Sequence, residues 1–112
     1  MITTHVLDTT SGGPAVGMAV VLEVHRGSDW HRIAAGRTDD RGRVASLTEH
    51  MATGPGVYRF TFDTNSYHRE HGRAVFFPEV QITFTVREAS EHVHVPLLVS
   101  PFGYTTYRGV GQ

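Results

Sequence analysis

Histidines are the residues of this sequence best suited to acid-base or metal chemistry, and two of them are spaced for it. His92 and His94 lie two positions apart, and on a β-strand that spacing directs both imidazoles to one face. The pair can hold a metal ion together with His5, or a neutral imidazole can activate water. A simpler alternative is a solvated His92 at a strand end, with His94 alone reaching an interior or an interface. Because His-x-His is a weak metal signature without further ligands, we expect no bound metal.

His5 belongs to a polar Thr-Thr-His start, residues 3–5, of a segment otherwise suited to a core. Taken alone, it is most simply a strand-face histidine satisfied by neighbouring hydroxyls, and the polar context favours a role in a site. Asp8, which precedes a Thr-Thr-Ser-Gly run, is most simply a turn former. The other histidines lie in polar stretches and are expected at the surface: His25, His31, His50, His68 and His71.

Arginines in two further segments can bind a polar substrate. Arg41 and Arg43 lie within and directly after an Asp-Asp-Arg-Gly turn, and residue types alone do not choose between them. Tyr107-Arg108-Gly109 lies close to the last residue. A guanidinium offers five donors in a planar fork, which matches carboxylates and the imide or urea edges of heterocycles. The alternative for Arg108 is a frayed end with a weak surface ion pair.

Short strands must position these residues, because alternation of apolar and polar residues dominates the sequence. The cleanest run, residues 80–86, alternates Val, Ile, Phe and Val with polar residues. Strands are predicted at 2–7, 16–24, 30–37, 43–46, 58–62, 80–86, 92–99 and 104–108, and one helical turn near 65–70. Seven or eight short strands separated by Gly, Pro, Asp and Ser turns predict an all-β sandwich.

Composition excludes several classes of function. The 112 residues suit one domain, 1–112. The absence of cysteine excludes a thiolate nucleophile, and the absence of lysine excludes Schiff-base chemistry. A formal net charge of −1 argues against nucleic-acid binding, and no apolar run approaches the roughly 20 residues of a membrane span. Since no secretory signal is recognisable, we expect no membrane association and a cytoplasmic location.

Four separated segments resemble the 5-hydroxyisourate hydrolases, the enzymatic relatives of transthyretin. Residues 3–9 resemble the family's N-terminal motif and 13–15 its continuation. Residues 38–43 resemble the turn that carries the family's active-site arginine, which falls on Arg43. Residues 76–80 are similar to a family sheet segment. Residues 92–109 closely resemble the C-terminal signature. Directly after them, Val110 stands where the family usually has serine.

The resemblance implies a transthyretin-like sandwich of two four-stranded sheets with one short helix, assembled as a homotetramer with sites in the channel between dimers. It implies hydrolysis of 5-hydroxyisourate, the unstable product of urate oxidation, by attack of water on a ring carbonyl. No cofactor and no essential metal are implied. On this basis the expected catalytic residues are His5, Arg43 and His94, with either histidine as the base. Expected substrate contacts are these three together with Tyr107, Arg108, Gly109 and Val110.

A non-enzymatic small-molecule carrier of the transthyretin type is the main alternative. A hydrophobic hormone channel has no need for His5, Arg43, His94 and the Tyr-Arg-Gly tip, so the polar set favours a hydrolase. Val110 lacks the donor and acceptors of a serine hydroxyl. One lost neutral hydrogen bond is worth about 0.5–1.5 kcal/mol, about a tenfold effect, which is too small to abolish activity if the hydroxyl only positions the substrate. The alternative is that Val110 marks a paralogue with an altered substrate.

Overall fold

The computed structural model describes residues 1–110 and arranges them as two four-stranded sheets and one short helix. The elements in chain order are β1 (Ile2–Asp8), β2 (Gly13–Pro14), β3 (Ala19–Arg26), β4 (Asp29–Arg37), β5 (Gly56–Phe62), α1 (Thr64–Glu70), β6 (Val80–Val86), β7 (Val93–Ser100) and β8 (Gly103–Thr106). One sheet has the order β2-β1-β7-β8 and the other β4-β3-β5-β6. The predicted all-β sandwich is therefore confirmed. Within the described residues, no helix has the length and apolar character needed to cross a membrane.

The core lies between the two sheets and is filled by alternate residues of the strands. In β5, Tyr58, Phe60 and Phe62 are buried while the residues between them are more exposed. In β1, residues 2, 4, 6 and 8 are buried and residues 3, 5 and 7 are partly exposed. Because side chains alternate between the faces of a strand, the outer face of the β1-β7 pair is left for the intervening residues.

β1 and β7 are adjacent and parallel, with a continuous register from Ile2↔Val93 to Asp8↔Val99. Strands paired in this way require a long crossover connection, here most of the chain. The pairing places Thr3 beside His94. The N-terminal and C-terminal motifs therefore meet on one sheet face.

A buried carboxylate fastens α1 to the sandwich. Asp63 caps the helix by accepting the backbone N–H of Ser66 at 3.0 Å. Tyr67 donates its hydroxyl to Oδ2 of Asp8 at 2.6 Å, and Arg73 donates to the same oxygen at 2.6 Å. Oδ1 of Asp8 accepts the backbone N–H groups of residues 10 and 11. The predicted turn role of Asp8 is therefore confirmed, and the same side chain also anchors the helix.

One predicted strand is absent, and two others differ from the prediction in their limits. Residues 43–46 form no strand, because Ser46 has a φ of 55°, which interrupts extended backbone. The strand predicted from residue 16 begins at Ala19, because Gly17 has a φ of 81°. β8 ends at Thr106 rather than at residue 108, and an isolated bridge between His94 and Gly109 follows it.

His68, expected at the surface, is 1% exposed. The buried residues of α1 are Thr64, Tyr67 and His68, and their spacing of three and four is that of one helix face. Burial lowers the pKa of His68. Its Nδ1 is the one buried side-chain nitrogen or oxygen that lacks a hydrogen-bond partner among residues 1–110. The prediction was wrong because a short polar helix still buries the face that packs on the sheet.

Candidate active site

His5 and His94 lie on the outer face of the β1-β7 pair. His5 and Thr3 project from the face of β1 opposite the core. His94 is paired with Thr3 and Pro96 with His5 in the parallel register. Two predicted catalytic histidines from the two ends of the chain are therefore brought to a common surface.

The turn before Arg43 is fastened to the same strand. Oδ1 of Asp39 accepts the backbone N–H groups of residues 41 (2.9 Å) and 43 (3.0 Å), and the carbonyl of Gly42 accepts the N–H of Val6 at 2.8 Å. Gly42 has a φ of 79°, and a β-carbon there would lie 2.3 Å from the carbonyl oxygen of Val6. Glycine is thus required for the close approach, and the turn holds Arg43 in an isolated bridge with His5.

The same turn orients the ring of His5. Its Nε2 lies 2.8 Å from the carbonyl oxygen of Arg41. Since a carbonyl oxygen only accepts, Nε2 carries a proton and Nδ1 is the basic nitrogen of the neutral ring. Arg41 and Arg43, which residue types alone did not distinguish, therefore differ in part: Arg41 supplies a carbonyl, whereas the charge of Arg43 acts on His94.

His94 is enclosed although it lies on the outer face, with 1% of the residue exposed. Oγ1 of Thr3 lies 2.8 Å from its Nδ1. Gly109, which pairs with His94 across the sheet edge, donates its N–H to the His94 carbonyl at 2.8 Å. A β-carbon at position 109 would lie 2.5 Å from Cδ2 of the imidazole. The ring therefore occupies space that the absent side chain of Gly109 leaves open.

The electrostatics of the site favour a neutral His94. Burial, and after it the positive charges of Arg43 and of protonated His5 and His92, lower the pKa of His94. These causes act in the same direction, since each penalises a cation on this ring. A neutral imidazole is the form that can take a proton from water near pH 7. The arrangement is therefore suited to general-base catalysis.

Among the predicted site residues, Arg108 lies away from His5 and His94. It donates to Oε2 of Glu91 at 2.8 Å. Hydrogen bonds from the backbone N–H of residue 87, and then from this guanidinium, lower the pKa of Glu91 to about 2. Arg108 and Tyr107 line a cavity of about 220 Å³ beside the apolar residues of β6. Within one chain, the structure does not bring Arg108 to the two histidines.

Tyr107 and Val110 reach outward at the end of the described chain. Tyr107 is 55% exposed and Val110 is 85% exposed. The outer face of the β1-β7 pair that carries His5 and His94 is called the histidine face. Of the Tyr-Arg-Gly-Val tip, it is therefore Gly109 that contacts the histidine face in the same chain. Tyr107 and Val110 are exposed, and Arg108 is paired with Glu91.

Sequence reasoning missed Thr3. Its hydroxyl lies 2.8 Å from Nδ1 of His94 and 3.0 Å from Nε2 of His92. The sequence alone places Thr3 on the same strand face as His5, because Thr3 precedes His5 by two positions. The cross-strand partner was not available without the register. In the part of the chain described here, no three His, Cys, Asp or Glu side chains are grouped to hold a metal ion.

The fold belongs to the transthyretin class. Sea bream transthyretin, solved in complex with thyroxine, matches with a TM-score of 0.92 and 32% sequence identity, covering 98% of this chain and 95% of that chain. The 5-hydroxyisourate hydrolase of Klebsiella pneumoniae matches with a TM-score of 0.84 and 32% identity, covering 96% of this chain and 97% of that one. The predicted transthyretin-like sandwich is therefore confirmed, and the fold by itself does not separate a carrier from an enzyme.

The sequence places the chain within this class. Residues 2–109 match the HIUase/Transthyretin family. The 5-hydroxyisourate hydrolase of Salmonella typhimurium is 41% identical over 109 residues, which cover 97% of this chain and 80% of that protein. This chain belongs to the HIUase/Transthyretin family, and the predicted family resemblance is confirmed.

Proposed function

We propose that this chain is a 5-hydroxyisourate hydrolase, which opens the six-membered ring of 5-hydroxyisourate to 2-oxo-4-hydroxy-4-carboxy-5-ureidoimidazoline in urate catabolism. The observation that carries the proposal is a buried His94, kept neutral beside His5 and Arg43 on one sheet face. Membership of a family that includes 5-hydroxyisourate hydrolases at 41% identity supports the choice of substrate.

In the proposed reaction, water adds to a ring carbonyl carbon and the adjacent ring C–N bond then breaks. Nε2 of His94 takes a proton from the water as the C–O bond forms. The same proton is returned to the departing ring nitrogen, so the base is regenerated. We assign the base to His94 because it is the buried histidine whose pKa its surroundings lower, which keeps the basic form populated.

Arg43 and His5 bind and orient the substrate in this scheme. The guanidinium of Arg43 stabilises the oxyanion that develops on the carbonyl, and its charge also keeps His94 neutral. His5 donates Nε2–H to the Arg41 carbonyl and so presents Nδ1 as an acceptor for an N–H or O–H of the substrate. In this scheme Arg43 stabilises the oxyanion, His5 accepts a hydrogen bond from the substrate, and His94 is the base.

The proposed assembly is a homotetramer in which the Tyr107-Arg108-Gly109-Val110 tip of one subunit completes the site of a facing subunit. β6 and β8 are edge strands of their sheets, and unpaired edges favour pairing between chains. Phe76, Phe102 and Tyr104 are 63%, 70% and 43% exposed, and Phe76 contacts the ring of Phe102. Exposed aromatic patches of this kind mark interaction surfaces. The proposed compartment is the cytoplasm.

A transthyretin-like carrier is the second candidate, and the observation in its favour is the fold match to the sea bream protein in complex with thyroxine. The histidine face argues against it. A buried base next to a guanidinium offers little to an apolar ligand, since desolvating charged and polar groups without pairing them weakens binding. The hydrolase therefore fits the site better.

The test follows the ultraviolet absorbance of 5-hydroxyisourate freshly produced from urate, with the spontaneous decay subtracted. The wild-type protein should accelerate the decay. His94→Ala should lower turnover by about 10²–10⁴-fold, the usual contribution of a general base. His31→Ala is the matched control, because His31 is exposed on β4, and it should leave turnover unchanged. Wild-type decay at the background rate would refute the proposed function.

A further inference from the structure

The hydroxyl of Thr3 lies between two imidazoles. Its Oγ1 is 2.8 Å from Nδ1 of His94 and 3.0 Å from Nε2 of His92. A hydroxyl has one proton and two lone pairs, so it can donate to one of the two rings at most. The two rings differ in environment, since His94 is 1% exposed and His92 is open to solvent.

The direction of these hydrogen bonds determines what His94 can do. A neutral His94 that is to take a proton at Nε2 must carry its own proton on Nδ1. Nδ1–H then donates to Oγ1 of Thr3, and the Thr3 proton is directed to Nε2 of His92. The opposite direction would place a proton on Nε2 of His94 and remove its basic nitrogen from the site.

We propose that Thr3 is a positioning residue for the hydrolysis, which fixes His94 as the Nδ1–H tautomer and connects it to His92 as the outer end of a proton chain. The inference rests on the proposed function, in which His94 is the base. As water gives a proton to Nε2 of His94, Nδ1–H passes to Oγ1 and the Thr3 proton passes to Nε2 of His92. One proton enters and one cation forms, on His92, to balance the oxyanion on the substrate. The chain runs in reverse when the ring nitrogen departs.

The surroundings of the two rings favour a cation at the outer end. His94 faces Arg43 from the turn, His5 from β1 and His92 from the position just before β7, and its burial adds to their repulsion of a positive charge. A charge on His92 is screened by water, whereas the same charge on His94 is not.

Thr3→Val and Thr3→Ser test the positioning role, since valine keeps the shape of threonine and serine keeps the hydroxyl. Thr3→Val should lower kcat by about 10–100-fold, the usual effect of losing a group that orients a functional histidine, with KM little changed. Thr3→Ser should restore most of the rate. Thr83→Val, at an exposed position of β6 in the other sheet, is the matched control for the substitution itself.

Nitrogen-15 NMR of His94 in the absence of substrate gives a readout that a merely structural role would not move. The wild-type ring should be protonated on Nδ1, and Thr3→Val should lose that preference while its thermal unfolding midpoint stays close to wild type. His92→Ala should keep the Nδ1–H tautomer but lower kcat by about tenfold, the effect of one lost hydrogen-bond partner.

Three results would overturn the proposal. Wild-type kcat in Thr3→Val, or a wild-type His94 protonated on Nε2, excludes the positioning role. Wild-type kcat in His92→Ala excludes the connection to His92. A wild-type protein that fails to accelerate 5-hydroxyisourate decay refutes the proposed function instead, and the NMR spectrum of the same protein still decides whether Thr3 fixes the tautomer.

Discussion

Gly109 lies opposite His94 at the edge of the sheet, and the imidazole occupies the space of the missing side chain. A β-carbon at position 109 would be 2.5 Å from Cδ2 of His94 and 3.1 Å from Cγ of Pro96. Carbon atoms not bonded to each other prefer separations of about 3.5–4.0 Å. Within one chain, the C-terminal motif therefore affects the histidine face because glycine at position 109 leaves room for the imidazole of His94.

Gly109→Ala should displace the ring of His94 and lower kcat by about 10²-fold, because a misplacement of about 1 Å can cost that much. The measurement is the rate of 5-hydroxyisourate decay above background. Gly103→Ala is the control, since a β-carbon at that β8 glycine meets nothing closer than Oγ of Ser100 at 3.8 Å. Equal rates for the two variants would contradict the steric argument.

The pH dependence of the reaction should report His94. The neutral ring is active, so activity is lost as the pH falls through the pKa of His94. Burial and Arg43 lower that pKa, and the acid limb of kcat/KM should therefore lie below the ordinary histidine value of about 6.5. Arg43→Gln removes a positive neighbour and should move the limb to higher pH, in addition to weakening substrate binding.

Proton NMR titration of the His94 ring provides the same pKa without substrate. Arg41→Gln is the matched control, because its backbone carbonyl still accepts from His5 while its side chain is exposed. It should leave the limb in place. An acid limb that moves equally in both arginine variants would show that Arg43 has no specific effect on His94.

Much of the fold was predictable because the strand patterns are local. The alternation in residues 58–62 and 80–86 follows from one face packing on a core, and both strands were found at or near those limits. Residues 43–46 have a strand-like composition but form no strand, because only Arg43 makes a bridge, with His5, and the positive φ of Ser46 interrupts the extended backbone. Element limits depend on such tertiary contacts.

For the candidate site, the residues were more predictable than their geometry. His5, Arg43 and His94 were singled out by residue type and family resemblance, and the structure brings them together. The Thr3-His94 contact depends on the parallel register of β1 and β7, which joins opposite ends of the chain and leaves no local trace. The pairing of Arg108 with Glu91 joins residues 17 positions apart and follows the antiparallel pairing of β7 and β8. Long-range pairings of this kind decide where a side chain points.

The buried Asp8-Tyr67 hydrogen bond should contribute to stability in a pH-dependent way. Burial by itself raises the pKa of Asp8, but hydrogen bonds from Tyr67, Arg73 and the backbone of Ser11 outweigh it and lower the pKa from 3.8 to about 2. A carboxyl group whose pKa is lowered by folding stabilises the folded state at pH values above its pKa in the unfolded chain. That contribution is lost as the pH falls from about 4 to about 2.

Tyr67→Phe should lower the free energy of unfolding at pH 7 by about 1.5–3 kcal/mol, the worth of a hydrogen bond to a charged group. The difference from wild type should shrink as the pH falls toward 2, where Asp8 becomes protonated. Urea unfolding at several pH values measures both effects. Tyr104→Phe, at a residue 43% exposed, is the control and should change little. If Tyr67→Phe lowers the free energy of unfolding equally at pH 7 and pH 2, the hydroxyl contributes through packing and not through its hydrogen bond to the Asp8 carboxylate.

Val110→Ser introduces the residue that the C-terminal signature of the family usually carries. Position 110 is 85% exposed, so the substitution should change the free energy of unfolding by no more than about 0.5 kcal/mol. A serine hydroxyl next to Gly109 offers one further hydrogen bond to substrate or water, and the gain in kcat/KM should be at most about tenfold. Val57→Ser, at another exposed valine, is the control. A gain of several hundredfold would show that the hydroxyl belongs to the chemical step and that His94 and Arg43 are insufficient without it, because one positioning hydrogen bond cannot supply so large a factor.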